Sequence, residues 1–430
     1  MRADVNKPRD RDRQTPRMDA RAAALRLLAA VEQGATLDEA ADPLQSLTPS
    51  DRARALRLAR EVLRRIGRAD AALAPFLVRR PRPEILRILR LATTELLALG
   101  EAPHGVVNAA VGLCRGAGGK GQAASGMVNA VLRKVAATGG DGWNALPPQR
   151  LPDWLRQPLV QSYGPRITQV IEAAHEAGAP LDLTPRTPRD DLPGEALPTG
   201  SRRLPSGTQV SALPGYASGD WWVQDAAAAL AVRVLDPQPG EAIADLCAAP
   251  GGKTLQLAAA GAEVTAIDIS DARLQRVAQN LDRCGLRARL IAADALAWRP
   301  DAPLDAVLLD APCSATGTIR RHPELSLIRD GGGLAELLSL QARLIDHALD
   351  LLRPGGRLVY ATCSLLPDEG EAQLAAALAR HAGIRAEPAI APGVDPAWLT
   401  GDGGLRLRPD LWPERGGMDG FFIVRLRKTA

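Results

Sequence analysis

Residues 245–254 read Asp245-Leu-Cys-Ala-Ala-Pro-Gly-Gly-Lys-Thr254 and follow an apolar run, 242–246, of strand length. A strand passing into a turn of small residues and then a helix is the ligand-binding corner of open α/β sheets. Spacing excludes two versions of that corner. Gly252-Lys253-Thr254 matches the end of GxxxxGK[ST], but the first glycine of that motif would fall on Cys247, and no GxGxxG is present. What remains is an acidic residue at a strand end and a turn whose Ala248, Ala249, Gly251 and Gly252 let a flat ligand approach the backbone. The following helix presents its N-terminus to the same place.

Two further acids stand in register with Asp245. Asp268 ends the next predicted strand, where a carboxylate can hold both hydroxyls of a ribose. Asp294 ends the third, placed to meet an adenine amino group. Each alone could be a helix cap, Asp268 before Ser270-Asp271 in particular. Three at successive strand ends point instead to a nucleoside with a cationic tail, and S-adenosylmethionine is such a molecule.

From residue 222 onward short strands alternate with helices: helix 225–235, strand 242–246, a helix from 254, strand 263–269, helix 272–284, strands 288–293 and 306–309, helix 337–352, strand 357–361, helix 369–381 and strand 421–426. That order predicts a parallel, doubly wound sheet. Ala306-Val-Leu-Leu-Asp310 is apolar on both faces, as a strand covered by helices must be.

The front of the chain has another period. Residues 18–140 are helical throughout: a start at Thr48-Pro-Ser-Asp51 with Ser50 or Asp51 available to cap, then Leu56, Ala59, Val62, Leu63 and Ile66. A helix opens at Pro83 with Ile85, Leu86, Leu89, Leu96 and Leu97 on one face, and another, 123–135, turns Met127, Val128, Val131 and Leu132 inward. Residues 1–17, mixed in charge and without periodicity, read as a disordered tail. Prolines cluster in 141–222, a connecting segment or small subdomain in which 178–208 reads as extended connection or loop. The domain boundaries are therefore set at 1–17, 18–140, 141–222 and 223–428.

At 430 residues with 46% hydrophobic and 3% aromatic content, Ala, Leu and Val must fill the cores. A net charge of +4 permits an anionic partner without demanding one. Residues 52–90 hold twelve arginines, a distribution that suits either a solvated helix face or a phosphate-binding surface. The charged N-terminus lacks the apolar core of a signal peptide, and no apolar run reaches membrane-span length. The five cysteines form no CxxC pair and have no histidine at metal spacing, so neither a disulfide framework nor a metal site is expected, and a reducing, cytoplasmic compartment is.

Two of those cysteines close predicted strands: Cys313 in Asp310-Ala-Pro-Cys-Ser and Cys363 in Tyr360-Ala-Thr-Cys-Ser. One alone would be ordinary packing. Two at the ligand-bearing edge of one sheet suggest thiolate chemistry. Cys114 and Cys284 lie on helix patterns and are assigned to core.

Taken together, Asp-Leu-Cys-Ala-Ala-Pro-Gly-Gly-Lys-Thr, Asp-Ala-Pro-Cys-Ser-Ala-Thr-Gly and Tyr-Ala-Thr-Cys-Ser resemble the RNA (cytosine-C5) methyltransferase family, over nearly the whole chain. Val223-Gln-Asp225, Arg320-Arg-His-Pro-Glu324 and Asp419-Gly-Phe-Phe422 resemble further motifs of its catalytic domain, and Ser125–Lys134 resembles the last core helix of a NusB-like RNA-binding domain. The resemblance implies a Rossmann-like S-adenosylmethionine-dependent α/β methyltransferase domain preceded by an all-α NusB-like domain. It places the cofactor on Cys247, Ala248, Ala249, Pro250, Gly251, Gly252 and Lys253, with Asp268, Asp294 and Asp310 completing the pocket. It makes Cys363 the nucleophile toward cytosine C6, Cys313 the assistant in product release and Asp310 the partner of the base at N3/N4. DNA cytosine methyltransferases use the Pro-Cys cysteine, which would nominate Cys313; the additional Thr362-Cys363 marks the RNA class and favours Cys363. Lys253 is expected to meet the cofactor carboxylate or Asp245 or Asp310, and His322 to shape the substrate side.

The implied partner is RNA, 16S ribosomal RNA foremost, without DNA or membrane, and the chain is expected to act as a monomer. Transfer RNA is the alternative within the same chemistry. An RNA-binding assembly factor without catalysis is the alternative outside it, one that would have no use for Cys363, Cys313 and Asp310. Relatives carry a small α/β subdomain with a Trp/Leu-Arg-x-Asn stretch after the helical domain; here Pro180-Leu-Asp-Leu-Thr-Pro-Arg-Thr-Pro188 stands in its place and the asparagine is missing.

Overall fold

In the computed structural model the chain is described over residues 19–189 and 191–429; the predicted tail, 1–17, lies outside them. Two units part between Pro147 and Pro148. The first is helical: α1 (Ala20–Val31), α2 (Leu37–Ala41), α3 (Pro49–Arg64), α4 (Ile66–Leu73), α5 (Pro83–Leu97), α6 (Pro103–Gly116) and α7 (Gly118–Asn144). Thr48 caps α3 by accepting the Asp51 amide at 3.1 Å, with Pro49 at the first helical position, so the cap lies two residues before the predicted Ser50. On α3 the core face is Ala55, Leu58, Ala59, Val62 and Leu63, with Leu56 half-buried, and Ile66, also half-buried, opens α4 instead. The predicted helix 123–135 is the middle of the longer α7; Val128, Val131 and Leu132 are buried but Met127 is 37% exposed, one position off the inward stripe.

Much of the arginine-rich stretch is used inside this unit. Arg90 holds Asp70 through two 2.7 Å hydrogen bonds, Arg64 and Arg65 pair with Glu61, Arg87 pairs with Glu32, and Arg68 stacks 5.0 Å over Trp143. Arg57, Arg79, Arg80 and Arg82 remain exposed, the last three in the loop before α5.

The second unit opens with α8 (Asp153–Ala177) and a four-stranded antiparallel sheet: β1 (Leu181–Pro185), β2 (Glu195–Ala196), β3 (Arg202–Leu204) and β4 (Trp221–Val223), in the order β2-β3-β1-β4. The expectation of a loop over 178–208 is therefore corrected. These strands are two to five residues long, too short to show an alternating pattern, and prolines stand at their ends. Asp182 on β1 holds Arg203 on β3 with two 2.7 Å hydrogen bonds, both residues buried, and also accepts the Ala226 amide at 3.0 Å. The proline-rich segment is thereby fixed to the helix that follows.

That helix is α9 (Ala226–Leu235). Then come β5 (Ala242–Leu246), α10 (Gly252–Ala259), β6 (Glu263–Asp268), α11 (Asp271–Cys284), β7 (Arg289–Ala292), β8 (Leu304–Asp310), α12 (Leu325–Ile328), α13 (Leu334–Asp350), β9 (Leu352–Thr362), α14 (Glu371–Arg380), β10 (Ile384–Glu387), β11 (Leu405–Leu407) and β12 (Phe421–Lys428). The sheet order is β10-β12-β9-β8-β5-β6-β7, with β11 paired to β12. Strands β5 to β9 are parallel, but β12 enters antiparallel between β9 and β10, so the sheet is mixed rather than parallel throughout. Leu230 and Val234 of α9 pack with Val359 and Ile423 on one face, and Leu344 and Ala348 of α13 with Leu309 and Tyr360 on the other. Burial on both faces explains the near-continuous apolar strands. Among the described residues no helix is long and apolar enough to cross a membrane.

Candidate active site

The carboxyl ends of β5, β6, β8 and β9 carry the predicted residues. After β5 the chain turns sharply at Cys247, whose φ of 62° is left-handed, and at Gly251, φ 97°. A side chain at Gly251 would be strained in that conformation and would meet Val277 of α11 at 2.8 Å. Asp245 is fully buried: Oδ2 accepts the Thr254 hydroxyl at 2.6 Å, and Oδ1 has no hydrogen-bond partner among the described residues. Burial pushes its carboxyl up to about 7. Burial also pushes the Cys247 thiol up to about 12, so this cysteine holds its proton.

Asp268 is buried at the end of β6 and accepts the Ala249 amide at 3.1 Å and the Ser270 amide at 3.0 Å. The cap of α11 is Ser270, not Asp268, so the carboxylate supports the turn opposite. Arg273 donates to the Ala249 carbonyl at 2.5 Å and closes the same corner. Asp294 lies two residues past β7, exposed, and accepts the Leu296 amide of its own turn at 2.9 Å. The predicted trio is therefore unequal: Asp245 and Asp268 are built into the corner and Asp294 stands at the rim.

At the end of β8, Asp310 Oδ2 accepts a 2.7 Å hydrogen bond from Lys253 Nζ, which also lies 5.4 Å from the Phe421 ring. Of the partners expected for Lys253, this is the one the structure provides. Beyond it, Cys313 Sγ and Cys363 Sγ are 3.4 Å apart. Neighbouring parallel strands bring them together, since β8 and β9 pair Asp310 with Ala361. The Gly317 amide donates to the Cys363 carbonyl at 2.9 Å, and Gly317 also lies against the backbone of Gly420, where a Cβ would come within 2.0 Å of a carbonyl oxygen. The contact with Cys363, and then burial, raise Cys313 well above the ordinary thiol range. Cys114 and Cys284 are buried elsewhere.

The three auxiliary motifs meet behind this edge. Arg320, fully buried, lies 3.3 Å from Asp225 and 3.1 Å from Asp419; Arg321 donates to Asp419 at 2.7 Å; and the Asp419 amide donates to Asp225 at 3.1 Å. His322, a third exposed, faces Glu324 at 3.6 Å. Residues 225, 320–321 and 419 thus form one ion cluster that fixes the loop following Cys313. Sequence reasoning missed Glu369, whose carboxylate meets Ser314 and Ser364 beside the two cysteines. Its only signal was position, seven residues after Thr362 at the start of a predicted helix.

The donor set fits a nucleoside carrying a cationic tail. Asp245, with one uncommitted buried oxygen, and Asp268 make the corner acidic, and the one lysine of the turn is committed to Asp310. A polyphosphate would meet repulsion there, whereas ammonium and sulfonium charges are favoured.

A family model described as 16S rRNA methyltransferase RsmB/F matches residues 232–427, and one described as NusB family matches residues 18–137. Among curated relatives, the Ribosomal RNA small subunit methyltransferase B of Xylella fastidiosa is 36% identical over 95% of this chain and 97% of its own length. The protein of the same name from Pseudomonas syringae pv. tomato is 40% identical over 65% of this chain and 66% of its own length. Of solved structures, one titled a methyltransferase homolog protein from Pyrococcus horikoshii aligns with a TM-score of 0.53 and 28% identity over 63% of this chain and 93% of its own. That of PH0851 aligns with a TM-score of 0.68 over 94% of this chain and 98% of its own at 23% identity, a likeness of fold.

Proposed function

From its place in the 16S rRNA methyltransferase RsmB/F family, to which this chain belongs, we infer that it methylates carbon 5 of a cytosine in 16S ribosomal RNA. The observation that carries this reading is the pair of sulfurs 3.4 Å apart at the ends of adjacent parallel strands, beside an Asp310–Lys253 pair and an acidic nucleoside corner. S-adenosylmethionine, when bound, supplies an electrophilic methyl group. The turn Cys247–Lys253 and Asp268 would hold it, with Asp294 at the rim.

Cytosine C5 is a poor nucleophile until C6 is saturated. A sulfur adding to C6 breaks the aromaticity and makes C5 an enamine carbon, which splits one hard step into easier ones. Cys363 takes that role, with the Cys313 sulfur 3.4 Å from its own, and the attacking form is the thiolate. Asp310, held by Lys253, presents acceptor oxygens to the amino group of the base. Once C5 is methylated, its proton passes to solvent, the C5–H electrons re-form the double bond, and the Cys363–C6 bond breaks. The Cys313 thiol stabilises the departing sulfur. The base must leave any stack to reach this edge. Arg79, Arg80 and Arg82, exposed in one loop of the helical unit, supply cationic contacts for phosphate.

The test is the product. After incubation with methyl-labelled cofactor, nuclease digestion of naked 16S RNA yields labelled 5-methylcytidine. Label at another atom, or in transfer RNA but not 16S RNA, overturns the assignment.

A further inference from the structure

Behind the two cysteines lies a buried carboxylate that the mechanism above does not use. Glu369, fully buried in the 3-10 turn Pro367–Glu369, lies in the connection after β9 that begins with Cys363, and it reaches across to the loop of Cys313. Its Oε1 accepts the Ser314 amide at 2.8 Å and the Gln341 side-chain amide at 2.9 Å. Its Oε2 accepts the hydroxyls of Ser314 and Ser364, each at 2.5 Å. Ser314 follows Cys313 and Ser364 follows Cys363, and the two hydroxyls are 3.1 Å from each other. The Glu369 carbonyl accepts the Tyr360 hydroxyl at 2.8 Å and the Thr362 hydroxyl at 3.0 Å, on the strand that ends just before Cys363.

We propose that Glu369 is a positioning residue that holds the Cys313 and Cys363 loops in register, so that the two sulfurs act on one base. Burying a carboxylate costs several kcal/mol before its bonds are counted, and a well-packed apolar side chain would often serve stability as well or better. Every donor the carboxylate takes, except Gln341, belongs to a residue next to a reactive cysteine. A carboxylate accepts from all four at once, which no hydroxyl or single carbonyl can do. The site it creates is a rigid bracket: the loops cannot separate without stranding Oε2 and two hydroxyls in a dry interior.

This inference rests on the roles proposed for the two cysteines, so the test needs a readout that does not. Oxidation of full-length protein by diamide converts the two thiols to a disulfide at a rate set by how well the sulfurs are aligned. In Glu369→Ala, kcat is expected to fall about 10²-fold with the cofactor KM unchanged, because the reacting groups lose registry while the β5–β6 corner keeps its contacts. Cys313–Cys363 cross-linking is expected to slow by about tenfold. Glu369→Gln keeps an oxygen for the two amides and offers an NH2 to the two hydroxyls, so both readouts are expected to return to within about fivefold of wild type. If Glu369→Ala fails to fold, Ser364→Ala removes the tie from one loop only, with roughly a tenfold loss of kcat and slower cross-linking expected. A folded Glu369→Ala or Ser364→Ala protein with wild-type kcat and cross-linking overturns the proposal. Slowed cross-linking in a protein whose wild type forms no covalent RNA adduct would uphold Glu369 and sink the cysteine mechanism instead.

Discussion

On the β5–β6 side of the site, Asp245 and Asp268 engage neighbours in or beside the turn they serve: Thr254 for one, the amides of Ala249 and Ser270 for the other. On the β8–β9 side the two cysteines keep their sulfurs for each other, and the holding is done from behind, by Glu369 and by the Asp225–Arg320–Asp419 cluster. The first half is a local device in which a short motif carries its own support. The second leaves the reactive sulfurs bare and draws much of its support across the chain, from Glu369 to Ser314 and from Arg320 to Asp225 and Asp419. A ligand-binding corner can tolerate local definition because many backbone groups share the work. A covalent step depends on two sulfurs and a base meeting within a fraction of an ångström.

The largest effects should therefore fall on the cysteine side. Cys363→Ala removes the nucleophile, and methyl transfer to 16S RNA is expected to fall by roughly 10⁴-fold or more, with S-adenosylmethionine binding retained. Cys313→Ala is expected to form the bond to C6 but release it slowly, so an RNA adduct that survives denaturant accumulates on gels. Equal methyl incorporation by the Cys363→Ala protein would move the nucleophile elsewhere and erase the contrast between the halves.

On the cofactor side the expected effect is one of pH. The Asp245 carboxyl sits at about 7 in the fold, raised by burial from 3.8. A raised carboxyl means that the folded state holds a proton the unfolded chain releases. The stability this contributes is present below about pH 4 and is lost as pH rises through about 7. Above that, the fold carries a buried charge. The stability difference between Asp245→Asn and wild type should move in favour of the variant from pH 5 to pH 9, by at most roughly 3 kcal/mol. Thermal melts of the two proteins across that range, without cofactor, read it directly; parallel curves would mean that the orphaned oxygen is solvated.

The contrast between the halves also governed what could be read from sequence. The turn 245–254 was legible because its signal is contiguous: acid, small residues, helix. The sheet followed from alternation of strand and helix, except for β12, whose antiparallel entry depends on the long excursion through β10 and β11. The pairing of Cys313 with Cys363 was suggested by their strand ends, and strand order is what brought them together. Glu369 was not legible, because a glutamate at a predicted helix start reads as an ordinary exposed residue favoured by the helix dipole. Its burial depends on contacts with Ser314, 55 residues earlier. The small sheet β1–β4 was missed for a related reason: Asp182 and Arg203 define it, and a buried ion pair between strands this short leaves no periodic trace.

The acids within the cofactor half differ in the same sense. Asp268→Ala strands the amides of Ala249 and Ser270 in a buried corner, at about 1–3 kcal/mol, and cofactor affinity is expected to weaken by roughly tenfold to a hundredfold. Asp294 has only the Leu296 amide of its own turn and is open to water. Whatever it offers a ligand is offered in competition with solvent, where a hydrogen bond contributes about 0.5–1.5 kcal/mol net. Asp294→Ala is therefore expected to raise the cofactor dissociation constant by about threefold and leave the melting temperature within about a degree of wild type. Calorimetric titration of the two variants side by side is the measurement. A loss at Asp294 as large as that at Asp268 would mean that the rim closes over the bound nucleoside and buries this acid too, and the corner would then owe its hold to ligand-induced order as much as to its own sequence.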